Sequence, residues 1–297
     1  MGEVCRRHPF GAVTAVTRVL HCGMAARLFR LYPGPPDDLP LAGAYLAHGL
    51  HALGSPAAPF VYASFVSSLD GRIALLDPAT GESRFPPGLS NGTDFRLFLE
   101  LQAQADCLIT HAGYLRDLAA GRLDNVLQIG LHDPGRDLAD WRLANGLTPQ
   151  PAVVVASSSL DFTLPASLAR HGQRVMVAVG RAAPAGRVET LRRAGVEVIV
   201  AGEGARVEGA PLVRALGERG FRSLYLLAGP RMLETTLRGG VLSRLYLTMA
   251  HRLFGGERFQ SMIEGPELGD AGRLRMASLY HDADGGQWFA RFEPVRP

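Results

Sequence analysis

The sequence predicts an α/β protein whose mostly parallel central sheet carries helices on both faces. From residue 60 to residue 250, short apolar strand segments alternate with helical segments, which is typical of parallel strands joined by crossover helices. The stretch 153–156 is entirely apolar, as expected of a strand buried on both faces. At the end of the chain, 274–280 and 287–292 flank the turn sequence DADGG and predict an antiparallel hairpin.

The individual elements follow from apolar periodicity and from the turn residues between them. The predicted strands are 60–66, 106–110, 153–156, 175–179, 196–200, 223–227 and 245–250, and the predicted helices are 93–104, 185–194, 210–219 and 231–238. Asn91 or Thr93 can cap the first of these helices. Residues 76–91 are rich in Pro and Gly and predict a loop over a site, and residues 114–150 are predicted to be irregular.

One domain is predicted over residues 60–297, preceded by an N-terminal extension over residues 1–59. The extension is Pro-rich from residue 28 onward, is predicted to lie against the main domain, and has a short helix predicted near 41–53. Residues 1–23 loosely resemble a signal peptide, but Arg18 and His21 interrupt its apolar part. We therefore treat Met24 as an alternative start, with residues 1–23 outside the native protein.

Composition favours a globular, cytoplasmic protein that binds a small molecule. The net charge is +3, and the basic residues form no run interleaved with aromatics, which argues against a nucleic-acid partner. No stretch approaches the roughly 20 apolar residues that a membrane span needs, so no membrane partner is expected. Cys5, Cys22 and Cys107 are scattered and predict neither a disulfide framework nor a metal site.

Small and glycine residues follow three of the predicted strands, at Ser67–Gly71, Thr110–Gly113 and Ala228–Pro230. Ligands of open α/β sheets bind outside the carboxyl ends of the strands. Gly229 and Pro230 also open a helix whose N–H groups can hold a pyrophosphate, with Arg231 beside it. Each segment taken alone is explained equally well as an ordinary turn.

Three segments taken together resemble one family. They are SFVSSLDGRIA, ADCLITHAGYLRD and LYLLAGPRMLETTLRGGVLSRLYLTMAHRLFGG. Their order and spacing resemble the reductase domain of the bacterial bifunctional riboflavin-biosynthesis deaminase–reductase, over about 60–292. The resemblance implies a dihydrofolate-reductase-like three-layer fold, NADPH as cofactor and a homodimer. The zinc signature of the deaminase half, HxE with PCxxC, is absent.

The resemblance also implies roles for individual residues. Ser68 and Asp70 match the SLDG turn between nicotinamide and substrate, with Asp70 as the catalytic residue that orients the substrate. The residues implied to bind the substrate phosphate are Arg142 and Arg122. The implied cofactor-binding residues are Thr110, His111, Ala112, Gly113, Ser157, Ser158, Ala228, Gly229 and Pro230.

The chain departs from the family pattern at two cofactor loops. His111 replaces the first glycine of VGAGT, and Leu227 and Ala228 replace the acidic residue and first glycine of EGGP. The leading hypothesis is an NADPH-dependent reductase of the 5-amino-6-(5-phosphoribosylamino)uracil reductase type, acting on a phosphorylated heterocycle.

Two alternatives stay open. One is a dihydrofolate or pterin reductase, which needs a carboxylate on the first helix; Asp94 is the best-placed candidate there, although a first-turn acid that favours the helix dipole explains it as simply. The other is a degenerate, non-catalytic family member that binds a nucleotide or merely dimerises, which the altered glycine positions support.

Overall fold

A computed structural model describes residues 27–131 and 133–295 of the chain. The predictions made for residues 1–24, including Cys5, Cys22 and the start at Met24, lie outside this part. The α-helices are α1 (Gly92–Ala103), α2 (Ala112–Ala119), α3 (Asp137–Ala144), α4 (Ala166–Arg170), α5 (Ala185–Arg193), α6 (Gly209–Gly217) and α7 (Pro230–Arg238). The strands are β1 (Arg27–Tyr32), β2 (Asp37–Pro40), β3 (Phe60–Ser68), β4 (Ala74–Leu76), β5 (Ser83–Arg84), β6 (Cys107–His111), β7 (Ala152–Ala156), β8 (Val175–Val179), β9 (Glu197–Val200), β10 (Ser223–Leu226), β11 (Arg244–Ala250), β12 (Phe259–Gln260), β13 (Leu274–Asp282) and β14 (Gln287–Pro294).

The central sheet has eleven strands in the order β2-β1-β13-β14-β11-β3-β10-β6-β7-β8-β9. The seven strands from β11 to β9 run parallel, and the β13–β14 hairpin joins them antiparallel through β11. This arrangement confirms the predicted fold class, including the C-terminal hairpin. A parallel sheet places the ends of β3, β10 and β6 at one edge, and β10 lies between the other two.

Helices cover both faces of the sheet because successive strand residues point in opposite directions. On one face Val61 and Ala63 pack with α6 and α7. On the other face Tyr62 packs with α1 and with Leu115 of α2. Each face has its own apolar cluster, so the carboxyl edge of the strands is held rigidly between two packed layers.

The N-terminal extension adds strands to this sheet. β1 pairs antiparallel with β13, and β2 pairs with β1. Leu28, Tyr45 and Leu50 of the extension are buried in the same cluster as α1. The helix predicted near 41–53 is two short 3₁₀ turns, Leu46–His48 and Leu50–Ala52. The domain boundary at residue 60 stays a prediction.

Two stretches differ from the sequence-based expectation. Residues 114–150, predicted to be irregular, contain most of α2 and all of α3. α3 is a helix of low amphipathicity that is held by tertiary contacts, since the guanidinium of Arg96 on α1 donates to both carboxylate oxygens of Asp137. Residues 76–91, predicted to be a loop, include β5, which pairs with β4 and, through it, with β12. No helix within the described ranges is long and apolar enough to cross a membrane.

Candidate functional site

The three predicted loops come together at the carboxyl edge of the sheet. Ser67–Gly71 follows β3, Ala228–Pro230 follows β10 and Thr110–Gly113 follows β6, and these three strands are consecutive in the sheet. The sequence could not show that β10, late in the chain, pairs between two early strands. Such an edge is where α/β proteins of this kind bind ligands.

Asp70 is fixed as an anion at this edge. Its carboxylate accepts hydrogen bonds from the Ser68 hydroxyl and from the backbone N–H groups of Phe254 and Gly255, the latter at 2.8 Å. Hydrogen bonding by Ser68, helped by those N–H groups and by Arg72, lowers the pKa of Asp70 to about 2. The carboxylate is therefore ionised at neutral pH, where it can accept hydrogen bonds and has no proton to donate.

His111 begins α2. Its Nδ1 accepts from the backbone N–H of Tyr114 at 3.4 Å, so the side chain caps the helix. Burial lowers the pKa of the half-buried imidazole, which is neutral at pH 7. The preceding residue, Thr110, is 1 % exposed, and its Oγ1 has no partner among the described residues. An unpaired buried hydroxyl at a strand end is a ready hydrogen-bonding group for a ligand.

The turn after β10 offers backbone donors. The N–H groups of Ala228 and Gly229 make no backbone hydrogen bond to any described residue. A Cβ added at Gly229 would meet a single neighbour, His111 Nε2 at 3.8 Å, so the turn is open on that side. Pro230 starts α7. Arg231, predicted beside a pyrophosphate, forms an ion pair with Glu264 at 2.5 Å that offsets its charge.

The loop after β7 carries Ser157 and Ser158. Ser157 is buried and its Oγ accepts from the backbone N–H of Leu160, whereas Ser158 is exposed. Two arginines that sequence reasoning missed border this loop. Arg187 donates to the Ser159 carbonyl at 3.0 Å and Arg116 donates to the Asp161 carbonyl at 3.0 Å.

A surface pocket of about 420 Å³ lies beside the same loop, lined by Arg116, Ala119, Ala120, Asp161, Phe162 and Thr163. The sequence carries a signal for Arg116, because it lies one helical turn after the start of α2 and therefore close to the end of β6. Nothing local in the sequence indicates Arg187.

Arg142 is not a phosphate grip in this structure. It is fully buried, and its guanidinium donates to the carbonyls of Ala103, Ala105 and Thr148 at 2.8–2.9 Å. Burial lowers the pKa of Arg142 to about 10, and every guanidinium nitrogen already has a partner within the fold. The prediction fails because residues 137–144, expected to be irregular, form α3. This helix directs the Arg142 side chain into the core, where it contacts the C-terminal end of α1.

Arg122 is exposed but paired. Its guanidinium contacts Asp117 at 2.6 Å and Glu82 at 3.5 Å. By contrast Arg252, directly after β11, forms no ion pair with any described residue. The Arg252 carbonyl accepts from the Leu69 N–H. Its guanidinium packs on Gly88, so closely that a Cβ added there would lie 2.8 Å from the guanidinium carbon. Arg252 is therefore an exposed, uncompensated cation beside the Asp70 turn, which sequence reasoning did not single out.

Asp94 lies in the first turn of α1. The Ser90 hydroxyl donates to its carboxylate. Burial raises the pKa of Asp94, and hydrogen bonds from Ser90 and Thr248 oppose this shift. The Asp94 side chain therefore packs against Thr248 of β11, a contact that its position in the first turn of the helix does not by itself require.

These residues fit a nicotinamide dinucleotide. The unpaired N–H groups at Ala228 and Gly229, the open space at Gly229 and the orphaned Thr110 hydroxyl suit an anionic, hydroxyl-bearing ligand. The described residues contain no cluster of three or more His, Cys, Asp or Glu that could hold a metal ion. The fold and this edge define an α/β protein whose three adjacent strand-end loops form a candidate nucleotide-binding site.

Within that class the chain belongs to the RibD C-terminal domain family, whose model matches residues 59–288. It is 27 % identical over 235 residues to a 2,5-diamino-6-ribosylamino-4(3H)-pyrimidinone 5′-phosphate reductase of Archaeoglobus fulgidus, covering 79 % of this chain and 98 % of that protein. It is 25 % identical to the riboflavin biosynthesis protein RibD of Actinobacillus pleuropneumoniae, covering 74 % of this chain and 53 % of that longer protein.

Solved structures share the fold. A pyrimidine reductase-like protein of Corynebacterium diphtheriae superposes with a TM-score of 0.59 at 21 % identity, over 80 % of this chain and 93 % of that one. RibD of Acinetobacter baumannii superposes with a TM-score of 0.55 at 19 % identity, over 80 % of this chain and 58 % of that one. The family predicted from the three sequence segments is confirmed.

Proposed function

We propose that this chain is an NADPH-dependent reductase of riboflavin biosynthesis, of the 5-amino-6-(5-phosphoribosylamino)uracil reductase type. The observation that carries the proposal is the meeting of the loops after β3, β10 and β6 at one sheet edge in a member of the RibD C-terminal domain family. The relatives named as pyrimidinone 5′-phosphate reductases support a phosphorylated pyrimidine as substrate.

NADPH, when bound, would supply a hydride to the ribose carbon of the substrate's imine-like tautomer, which would be reduced to the amine as its nitrogen takes a proton and NADPH becomes NADP⁺. The chain's own residues align the two molecules and exclude water, so positioning supplies most of the rate. Asp70 accepts hydrogen bonds from the substrate in a fixed direction, because Ser68 and the Phe254–Gly255 backbone hold it. Arg252 takes the phosphate role assigned earlier to Arg142, since its charge is uncompensated and it adjoins the Asp70 turn.

We propose NADPH rather than NADH because arginines border the Ser157–Ser159 loop. Arg116 and Arg187 each contact backbone carbonyls beside the exposed Ser158. A guanidinium suits the adenosine 2′-phosphate that distinguishes the two cofactors. Asp161, 3.6 Å from Arg187, offsets only part of this charge.

Titration with each cofactor tests the assignment. NADPH at 1 mM should raise the melting temperature, and NADH should raise it less. Arg187→Ala should weaken NADPH about 10-fold or more and leave NADH unchanged. Arg192→Ala, an exposed arginine on the outer side of α5, is the matched control. If neither nucleotide shifts the melting temperature, the reductase assignment is refuted, and a non-catalytic family member that merely dimerises is the interpretation that stands.

Turnover then identifies the substrate. The uracil and the 2,5-diamino-pyrimidinone forms of the phosphoribosylamino compound are compared with dihydrofolate. Arg252→Ala should raise the KM for the phosphorylated substrate at least 10-fold without changing NADPH affinity, whereas equal loss for both ligands would refute the phosphate role.

A pterin-type reduction is the second candidate, because the half-buried Asp94 lies in the first turn of α1, accepts from the Ser90 hydroxyl and packs against Thr248, and burial raises its pKa. A carboxyl in such a place can hydrogen-bond a heterocycle ring. Turnover of dihydrofolate that is lost in Asp94→Asn would favour this candidate.

We also propose that the chain acts as a cytoplasmic homodimer, as the family resemblance implies. β1 exposes Phe29, Leu31 and Tyr32, each at least 40 % accessible. Light scattering of the purified chain measures its mass directly, and a monomer at micromolar concentration would refute the dimer.

A further inference from the structure

His111 has a second nitrogen that neither the helix cap nor the core uses. The ring is held at the end of β6, where its Nδ1 accepts from the Tyr114 N–H. It lies so close to α2 that a Cβ on Gly113 would come within 2.8 Å of Nδ1. Rotation of the ring away from this position would remove the helix cap, so the direction of the other nitrogen, Nε2, is fixed.

The cap also decides which nitrogen carries the proton. An N–H donated to Nδ1 requires a lone pair there, and a neutral imidazole with a lone pair on Nδ1 carries its proton on Nε2. Nε2 is therefore a hydrogen-bond donor. It has no acceptor among the described residues, and it points toward the turn after β10, 3.8 Å from the Cβ position of Gly229.

The turn that Nε2 faces also presents donors. The N–H groups of Ala228 and Gly229 are unpaired within the described residues, and α7 begins at Pro230 with its positive dipole end. Neighbouring donors that have no acceptor fit an anion. The residue that distinguishes this chain from the glycine of the family pattern thus adds a donor to this turn.

We propose that His111 Nε2–H donates a hydrogen bond to the pyrophosphate of the bound dinucleotide. The proposal rests on the proposed function, in that the nucleotide must bind. In the family pattern a glycine at this position lets the cofactor approach the backbone closely. In this chain His111 would instead bind the cofactor through a neutral side-chain donor. Because the donor is neutral, it adds no charge to the turn, beside which Arg231 is already paired with Glu264.

His111→Asn separates this role from the helix cap. Asn is a good N-cap and preserves the bond to the Tyr114 N–H, but its side chain is too short to reach Gly229. The expected result is a melting temperature close to wild type and an NADPH dissociation constant about 10- to 100-fold higher, the range for one hydrogen bond to a charged group. Fluorescence titration of the full chain measures the constant.

Two ligand fragments locate the contact. 2′-Phospho-ADP-ribose keeps the 2′-phosphate and both phosphates of the pyrophosphate but lacks nicotinamide, and it should lose as much affinity in His111→Asn as NADPH does. 2′,5′-ADP keeps the 2′-phosphate and only the adenosine-side phosphate of the pyrophosphate, so it should lose less affinity than 2′-phospho-ADP-ribose does. In wild-type protein, nitrogen NMR of His111, assigned by its absence in the variant, should show a protonated Nε2 that shifts when 2′-phospho-ADP-ribose binds.

The outcomes separate this inference from the proposed function. Failure of the wild-type chain to bind NADPH overturns the cofactor assignment and the inference with it. Wild-type binding with unchanged affinity in His111→Asn overturns the inference alone and leaves His111 as a helix cap. Tighter binding by His111→Gly would show that the ring obstructs the pyrophosphate, which also overturns it.

Discussion

At the residue scale, Asp70 and His48 show how local contacts fix a protonation state. Asp70 is surrounded by donors and stays ionised. His48 is half-buried between the hydroxyls of Tyr246, at 2.8 Å, and Tyr280, at 3.4 Å. Burial lowers the pKa of His48 to about 3, with help from Arg291 and Arg244. One group serves the candidate site, and the other joins the N-terminal extension to the sheet.

Asp70→Asn should lower turnover about 100-fold with little change in NADPH affinity, because a mispositioned acceptor misaligns the substrate. Ser68→Ala is the milder comparison, since it keeps the carboxylate and removes one of its donors. Steady-state kinetics and cofactor titration measure the two effects. Turnover at the wild-type rate in Asp70→Asn would remove Asp70 from the proposed site.

Acid should destabilise the chain through His48. Its ordinary pKa of about 6.5 in the unfolded state exceeds the native pKa of about 3, so the unfolded state binds the proton first and stability falls as pH drops from 6.5 toward 3. At pH 5 the loss is roughly 2 kcal/mol. Urea unfolding at pH 7.5 and pH 5.0 measures it, and His48→Gln should lose correspondingly less. Equal losses in both proteins would contradict the assignment.

At the scale of elements, α1 organises the segments around it. Glu100 on α1 is fully buried and accepts from the N–H groups of Gly43, Tyr45 and Leu46 and from Arg96. Arg96 in turn binds Asp137 of α3. One helix therefore connects the extension, α3 and the sheet.

Glu100→Ala should destabilise the fold by about 3–5 kcal/mol, because it leaves Arg96 and three N–H groups without their acceptor. Glu100→Gln retains one acceptor oxygen and should cost less. The matched control is Glu189→Ala, which breaks the exposed pair with Arg193 on α5 and should cost under about 1 kcal/mol. Chemical denaturation gives the three values, and a loss in Glu100→Ala no larger than the control would refute the role of Glu100.

At the scale of the whole molecule, the extension and the reductase-like part share one sheet and one core. Leu28, Tyr45 and Leu50 are each at most 3 % exposed. Burial of each such side chain contributes roughly 1.5–3 kcal/mol, against a total stability of about 5–15 kcal/mol for a domain. Removing the extension therefore removes a large part of the net stability.

A chain that starts at residue 60 should lack a cooperative thermal transition, because β13 loses its β1 partner as well as these buried side chains. The reference is a chain that starts at Met24, which keeps every residue that the structure describes. Circular dichroism melting compares them. A cooperative transition within a few degrees of the reference would show that residues 60–297 fold alone.

The sequence by itself determined the alternation of strands and helices, the C-terminal hairpin and the three loop segments, because these depend on local apolar periodicity and turn chemistry. It also identified the family through the order of those segments. Contacts between distant residues could not be read this way. Only the tertiary structure decided that Arg142 is buried under α1, that Arg252 is left uncompensated and that Asp94 packs on β11. It also decided that β1 joins β13 and that His111 Nε2 faces Gly229, because burial and pairing depend on which side chains the folded chain brings together.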